Sequence, residues 1–244
     1  MLDLVGAFIL GVICAADAAV LIGLARISRG SKFAAFAVAS TWTTLIVAIA
    51  ALGGFAPGTT GPVPAAIIAF VVWLAAGLAA WFGSRAFRAA FRSVPLAALI
   101  GVNAFRILGL QFLLLHSAGR LANPFAAYAG WGDILTGLAA IPLAIMAVSP
   151  GRVPRGLLIG WNLFGALDLL NAVAMGAMSA PGTPFHVLTE PPGTLAMGAL
   201  PWVTVPAILV PVYLITHLEI GARLRSAGAE EATTTRAETR PRTA

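Results

Sequence analysis

Charge is what this chain has least of: Asp, Glu, Lys and Arg make up 10% of its 244 residues, where ordinary soluble domains carry about 25%. A water-soluble chain with 59% hydrophobic residues and a mean hydropathy of +0.93 could not cover its own surface, so lipid is the expected solvent. Other scarcities exclude particular chemistries. One cysteine, Cys14, excludes an intrachain disulfide. One lysine, Lys32, lies between apolar runs, so the chain has no intramembrane lysine to hold a retinal. Of three histidines, His116 and His217 differ in expected depth by about 27 Å of helix, too far to grip one haem iron. No P-loop, HExxH, GxSxG or CxxC occurs. No cofactor and no metal site is indicated. The net charge of +6 sits in short clusters between apolar runs rather than along one face, so no nucleic-acid partner is implied.

Long apolar runs dominate. A helix needs about 20 apolar residues to cross the hydrocarbon, and seven runs qualify: 3–25, 33–53, 64–83, 94–116, 126–148, 156–179 and 199–220. Met1-Leu2-Asp3 offers an acid where a signal peptide carries basic residues, and Ile13 stands where a lipoprotein box has a small residue, so the first run is expected to remain as a helix. Thirteen of the fifteen Lys and Arg residues fall on one side of a seven-span arrangement. Only Arg120 falls on the other, and Arg106 lies within a span. The positive side is cytoplasmic, which puts the N-terminus outside and the C-terminus inside. The expected fold is an all-α bundle of seven transmembrane helices over 1–221, with the bilayer as its partner. A polar tail, 222–244, is too poor in large apolar residues to order itself. The expected location is a bacterial cytoplasmic membrane.

Distance along a helix from the cytoplasmic arginines measures depth, at about 1.5 Å per residue. From Arg92, Asn103 lies about 16 Å in, Arg106 about 21 Å, Gln111 about 28 Å and His116 about 36 Å. From Arg155, Asn162 lies about 10 Å in, Asp168 about 20 Å and Asn171 about 24 Å. Asp133 lies about 28 Å back from Arg152, Asp17 about 14 Å back from Arg26, and His217 only about 9 Å from Arg223. Arg106 and Asp168 therefore share the midplane and are expected to pair, either as a structural tie or as a functional group. Ionisable groups at that depth are costly without a partner. Three buried acids, Asp17, Asp133 and Asp168, face one buried base. At least one of them must hold a proton, meet water or bind a cation, and Asp17 and Asp133 are the candidate proton carriers. Gln111, Asp133 and Asn171 form an expected outer layer under His116. The loop 180–198, with His186 and Glu190, is expected to fold over that layer as a lid. Pro201, Pro206 and Pro211 bend the last span, as a packing helix or as a gate. The tryptophans near span ends are expected to act as interface anchors.

Spans four to seven resemble a group of small, uncharacterised bacterial membrane proteins. The likeness rests on Asn103-x-x-Arg106-x-x-Gly109, on Phe125-x-x-x-Ala129-Gly130-Trp131-Gly132-Asp133 and on Trp161-Asn162-x-x-Gly165-x-x-Asp168. It continues in Pro206-x-x-x-x-Pro211 and His217. The resemblance implies no activity, but it points to Arg106, Asp133, Asn162 and Asp168. The sequence leans to a permease-like protein handling a small or proton-coupled solute in an outward-facing polar pocket of Arg106, Asp133, Asp168, Asn162, Asn171, Gln111, Asn103 and His116. Two alternatives stay open: a membrane-embedded enzyme acting on a lipophilic substrate, and a small subunit or assembly factor of a membrane complex. No internal repeat of the kind built into many transporters is visible.

Overall fold

The computed structural model describes the backbone of residues 1–149 and 151–238, with side chains up to Ser226 apart from Pro150. Among the described residues the chain is all-helical and has no strand. Seven helices are long and apolar enough to cross a membrane. Three of them come first: α1 (Leu2–Gly23), α2 (Arg29–Ala51) and α3 (Ala65–Gly83). A short helix, α4 (Arg85–Ser93), then carries Arg85, Arg88 and Arg92, where the sequence suggests only a break between spans. The Ser84 side chain caps its N-terminus by accepting from the Phe87 amide, and Pro95 follows its end, since the residue before a proline leaves the helical region.

The fourth long helix is composite: α5 (Leu96–Gly101), a 3-10 segment Val102–Gly109, and α6 (Leu110–Ser117). It packs against α7 (Phe125–Met146), which also contacts α8 (Arg155–Met178). The last long helix opens with a π-helical turn, Val205–Leu209, and continues as α9 (Val210–Glu238). It begins later than the apolar run suggests, because residues 199–203 are turns around Pro201. The backbone stays helical to Glu238, within the tail 222–244 that composition alone would leave disordered. Residues 239–244 lie outside the described residues.

Side-chain contacts sort the helix ends into two groups. At one end Arg120 pairs with Asp3 at 2.7 Å, and Trp202 donates to the same carboxylate at 2.8 Å. At the other, basic side chains donate to carbonyls: Arg88 to Trp81 and Phe82, Arg155 to Leu224, and Arg223 to Phe91. Trp81 and Phe82 close α3 and Phe91 closes α4, so Arg88 and Arg223 satisfy orphan carbonyls at helix C-termini and oppose the helix dipole there, whereas Leu224 lies within α9. Three apolar blocks fill the bundle. One packs Ile46, Ala69, Val203 and Ile208 between α2, α3 and the start of the last helix, and the other two lie towards the bundle's ends. Of these two, the block nearer Asp3 gathers Phe112, Leu115, Phe125, Leu169 and Trp202. The other, nearer the arginines, gathers Leu99, Ile100, Ala140, Leu158 and Ile220. Between them runs a polar layer.

Candidate functional site

The layer is organised by the 3-10 segment. With about three residues per turn, side chains at i and i+3 stack in line, so Asn103, Arg106 and Gly109 share one face. That face is buried and meets α7, α8 and α9. At Gly109 a Cβ would stand 2.5 Å from Asp133 Cβ, so only glycine lets α7 come this close. Upstream on the same face, Asn103 donates to the Leu99 carbonyl at 3.0 Å.

Arg106 occupies the centre. Its Nε donates to Asp133 Oδ1 at 2.7 Å and its Nη2 to Asp168 Oδ2 at 2.6 Å. Its Nη1 donates to the Gly165 carbonyl at 3.1 Å and to His217 Nε2 at 3.2 Å. A guanidinium only donates, so His217 Nε2 must accept and the ring proton sits on Nδ1. From there it is donated to Asn162 Oδ1 at 2.9 Å, while Asn162 Nδ2 donates to the His217 carbonyl at 3.2 Å. One tautomer of His217 is thereby fixed. Trp161 packs beside the imidazole, with ring centroids 5.3 Å apart. Residues 161, 162, 165 and 168 lie on one face of α8, as three- and four-residue spacing dictates. At Gly165 a Cβ would be 2.7 Å from His217 Cε1, and at Gly132 it would overlap Asp168 Oδ1. Three glycines therefore make room for the two carboxylates and the imidazole.

The Arg106–Asp168 pair expected from the sequence is present, but it is not exclusive. Asp133 shares the guanidinium, whereas Asp17 does not reach it. Asp17 is buried and faces the Tyr213 hydroxyl of α9 instead. Counting from helix ends rather than from arginines explains the meeting. Asp133 lies about 20 Å before Met146, where α7 ends, and Asp168 lies about 20 Å after Arg155, where α8 begins. Arg106 lies about 17 Å past Leu96, partly in the longer-pitched 3-10 form. All three thus reach nearly the same depth.

The remaining candidates separate. Gln111 is buried with its Nε2 unpartnered among the described residues, and Asn171 is exposed and contacts Met175. His116 bridges the Leu121 carbonyl and Asn123 at 2.8 and 2.9 Å, holding the α6–α7 loop. None of the three is hydrogen-bonded to Asp133 among the described residues. His217 falls far from Arg106 when depth is counted from Arg223. That residue is not a helix end: α9 runs past it, and Glu219, one turn before it, is fully buried, accepting from Trp81 at 3.1 Å and from Arg223 at 2.9 Å. The signal that finds His217 is its place at the end of the motif series.

Two spaces open onto the cluster. A cavity of about 110 Å³ lies among α3, α7, α8 and the π-helical turn, walled by Phe112, Phe125, Ala129, Leu169, Val173 and Pro206. Asp133 is its one charged lining residue among those described. Pro181, Thr183, Thr194 and Leu195 of the loop 180–198 also line it, as do Phe55 and Pro57 of the α2–α3 loop; His186 and Glu190 do not. The second space is an open groove between α7 and α8, reaching from Tyr128 and Trp131 to Asp168. The two carboxylates thus face different spaces, each with one oxygen on Arg106. Among the described residues no group of three or more His, Cys, Asp or Glu could hold a metal ion.

Residues 63–225, about two thirds of the chain, match the family model described as a domain of unknown function, DUF8737, and the chain belongs to that family. The match spans the whole ion cluster and begins before α3, while α1 with Asp17, and α2, precede it. No curated protein and no solved structure matches the chain.

Proposed function

We propose that this member of the family is a multi-pass membrane enzyme that takes a lipophilic substrate into the apolar cavity and works on its polar end with Asp133. The observation that carries this is the lining of the cavity: apolar walls with a single carboxylate. Pockets of that kind bury an apolar body and orient it through a few polar groups. A small hydrophilic solute would find almost no hydrogen-bond partners there. Asp133 Oδ1 is taken by Arg106, which leaves Oδ2 to meet the substrate. With both carboxylates ionised, Arg106, Asp133 and Asp168 sum to −1. One shared proton neutralises the group, and it is held by the coupled pair rather than by either acid. That proton is available for general acid–base work at the substrate. Arg106 orients Asp133, and His217 with Asn162 orients Arg106.

The helices are long and apolar enough to span a bilayer, and the arginine bias supports a cytoplasmic C-terminus. A bacterial inner membrane is the proposed location. Permease-like, proton-coupled transport is a second reading. It is favoured by the two carboxylates facing different spaces around one arginine.

The test is the content of the cavity. Protein extracted without delipidating detergent should carry a stoichiometric lipophilic molecule, detected by mass spectrometry after organic extraction. Ala129→Phe, which fills the cavity, should lose it while remaining folded. Equal recovery from both proteins, or recovery of neither, contradicts the proposal.

A further inference from the structure

The groove on the outer side of the bundle has walls of a different kind. Tyr128, Trp131, Phe164 and Leu167 are all largely exposed along it, and Asp168 is its one charged residue among the described residues. Its volume is about 510 Å³. Gly132 forms part of the wall between the aromatic rings and the carboxylate, and the Asp168 oxygen not bound to Arg106 lies against that glycine. The groove therefore leads from an aromatic mouth to a free carboxylate oxygen belonging to a cluster one positive charge short of balance.

We propose that the α7–α8 groove is a second binding site, for the cationic end of a lipophilic amine or quaternary ammonium compound approaching from the lipid side. Three observations on these residues agree. Aromatic faces attract cations through their ring quadrupoles. A carboxylate at the end of the groove supplies the counter-charge. The cluster of Arg106, Asp133 and Asp168 gains neutrality by taking up one positive charge, and a bound cation fills the role the shared proton fills in the empty site. Trp131 then has a use beyond that of an interface anchor. The inference rests on the ion cluster and not on a lipophile in the apolar cavity, so the two are separable by experiment.

The experiment uses the full chain in lipid nanodiscs, with tetraphenylphosphonium as the lipophilic monocation and equilibrium dialysis against empty nanodiscs as baseline. Saturable binding is expected above the baseline, with no competition from the neutral isostere tetraphenylsilane. Asp168→Asn should weaken binding by roughly tenfold or more, and Trp131→Leu by several-fold. Trp131→Leu touches no ion pair, so it reports even where Asp168→Asn fails to fold. Ala129→Phe, in the cavity on the other side of Asp133, should leave the affinity unchanged. Binding no greater than the baseline overturns the inference. So do equal affinities in wild type and Trp131→Leu, or loss of binding in a folded Ala129→Phe protein.

Discussion

Arg106→Met should destabilise the protein more than either Asp133→Asn or Asp168→Asn. The structure sets this order. Removing the guanidinium strands two carboxylates at once and leaves the Gly165 carbonyl and His217 Nε2 without their donor. Removing one aspartate charge leaves the other still bound to Arg106. Breaking a buried pair by deleting one partner costs about 3–5 kcal/mol. Each Asp→Asn change should fall at or below the lower end of that range, because an amide oxygen still accepts from the guanidinium and the remaining carboxylate alone balances its charge. Arg106→Met should fall at or above its upper end. Replacing all three residues together, Arg106→Met with Asp133→Leu and Asp168→Leu, should recover most of the loss, since apolar substitution of a whole buried ion cluster is often neutral or stabilising. Changing only Arg106 and Asp168 to apolar residues should not recover it, because Asp133 is then left alone. Thermal unfolding in one detergent across this series is the assay. Equal losses in the three single variants would refute the shared-arginine account, as would full rescue by the double change.

Gly132→Ala should behave like loss of the Asp168 contact: its Cβ would overlap Asp168 Oδ1, and the carboxylate must retreat from Arg106. The melting temperature should fall measurably, whereas Gly160→Ala, with nothing within 4 Å, should leave it in place. Arg120→Ala should cost about 0–1 kcal/mol by the same assay, because its pair with Asp3 is partly exposed. A reporter active only in the cytoplasm should work when fused after Arg225 and fail when fused at Gly58; activity at both positions would overturn the proposed topology.

The helices were legible because each is written as a long apolar run, and seven such runs match seven helices long and apolar enough to cross a membrane. The cluster was half legible. The pairing of Arg106 and Asp168 follows from sequence spacing, since the two residues lie at nearly equal distances along the chain from Arg92 and Arg155. The shared role of Asp133 and the approach of His217 do not follow, because the nearest arginines along the chain, Arg152 and Arg223, lie in connecting or continuing backbone rather than at helix ends. The 3-10 form of Val102–Gly109 was hidden as well: its three-residue spacing is written in Asn103, Arg106 and Gly109, but two turns of an α-helix also bring residues three apart close to one face. Composition gave no hint that an apolar cavity opens on Asp133, because its walls come from separate helices and two loops.

Asp133 is proposed to meet the polar end of a lipophilic molecule. An experimental density map of the protein in native-lipid nanodiscs tests it most directly. The account predicts elongated non-protein density filling the cavity beside Phe125, Ala129 and Val173 and ending within hydrogen-bond distance of Asp133. A cavity filled with ordered water in a continuous path past Asp133 would contradict it.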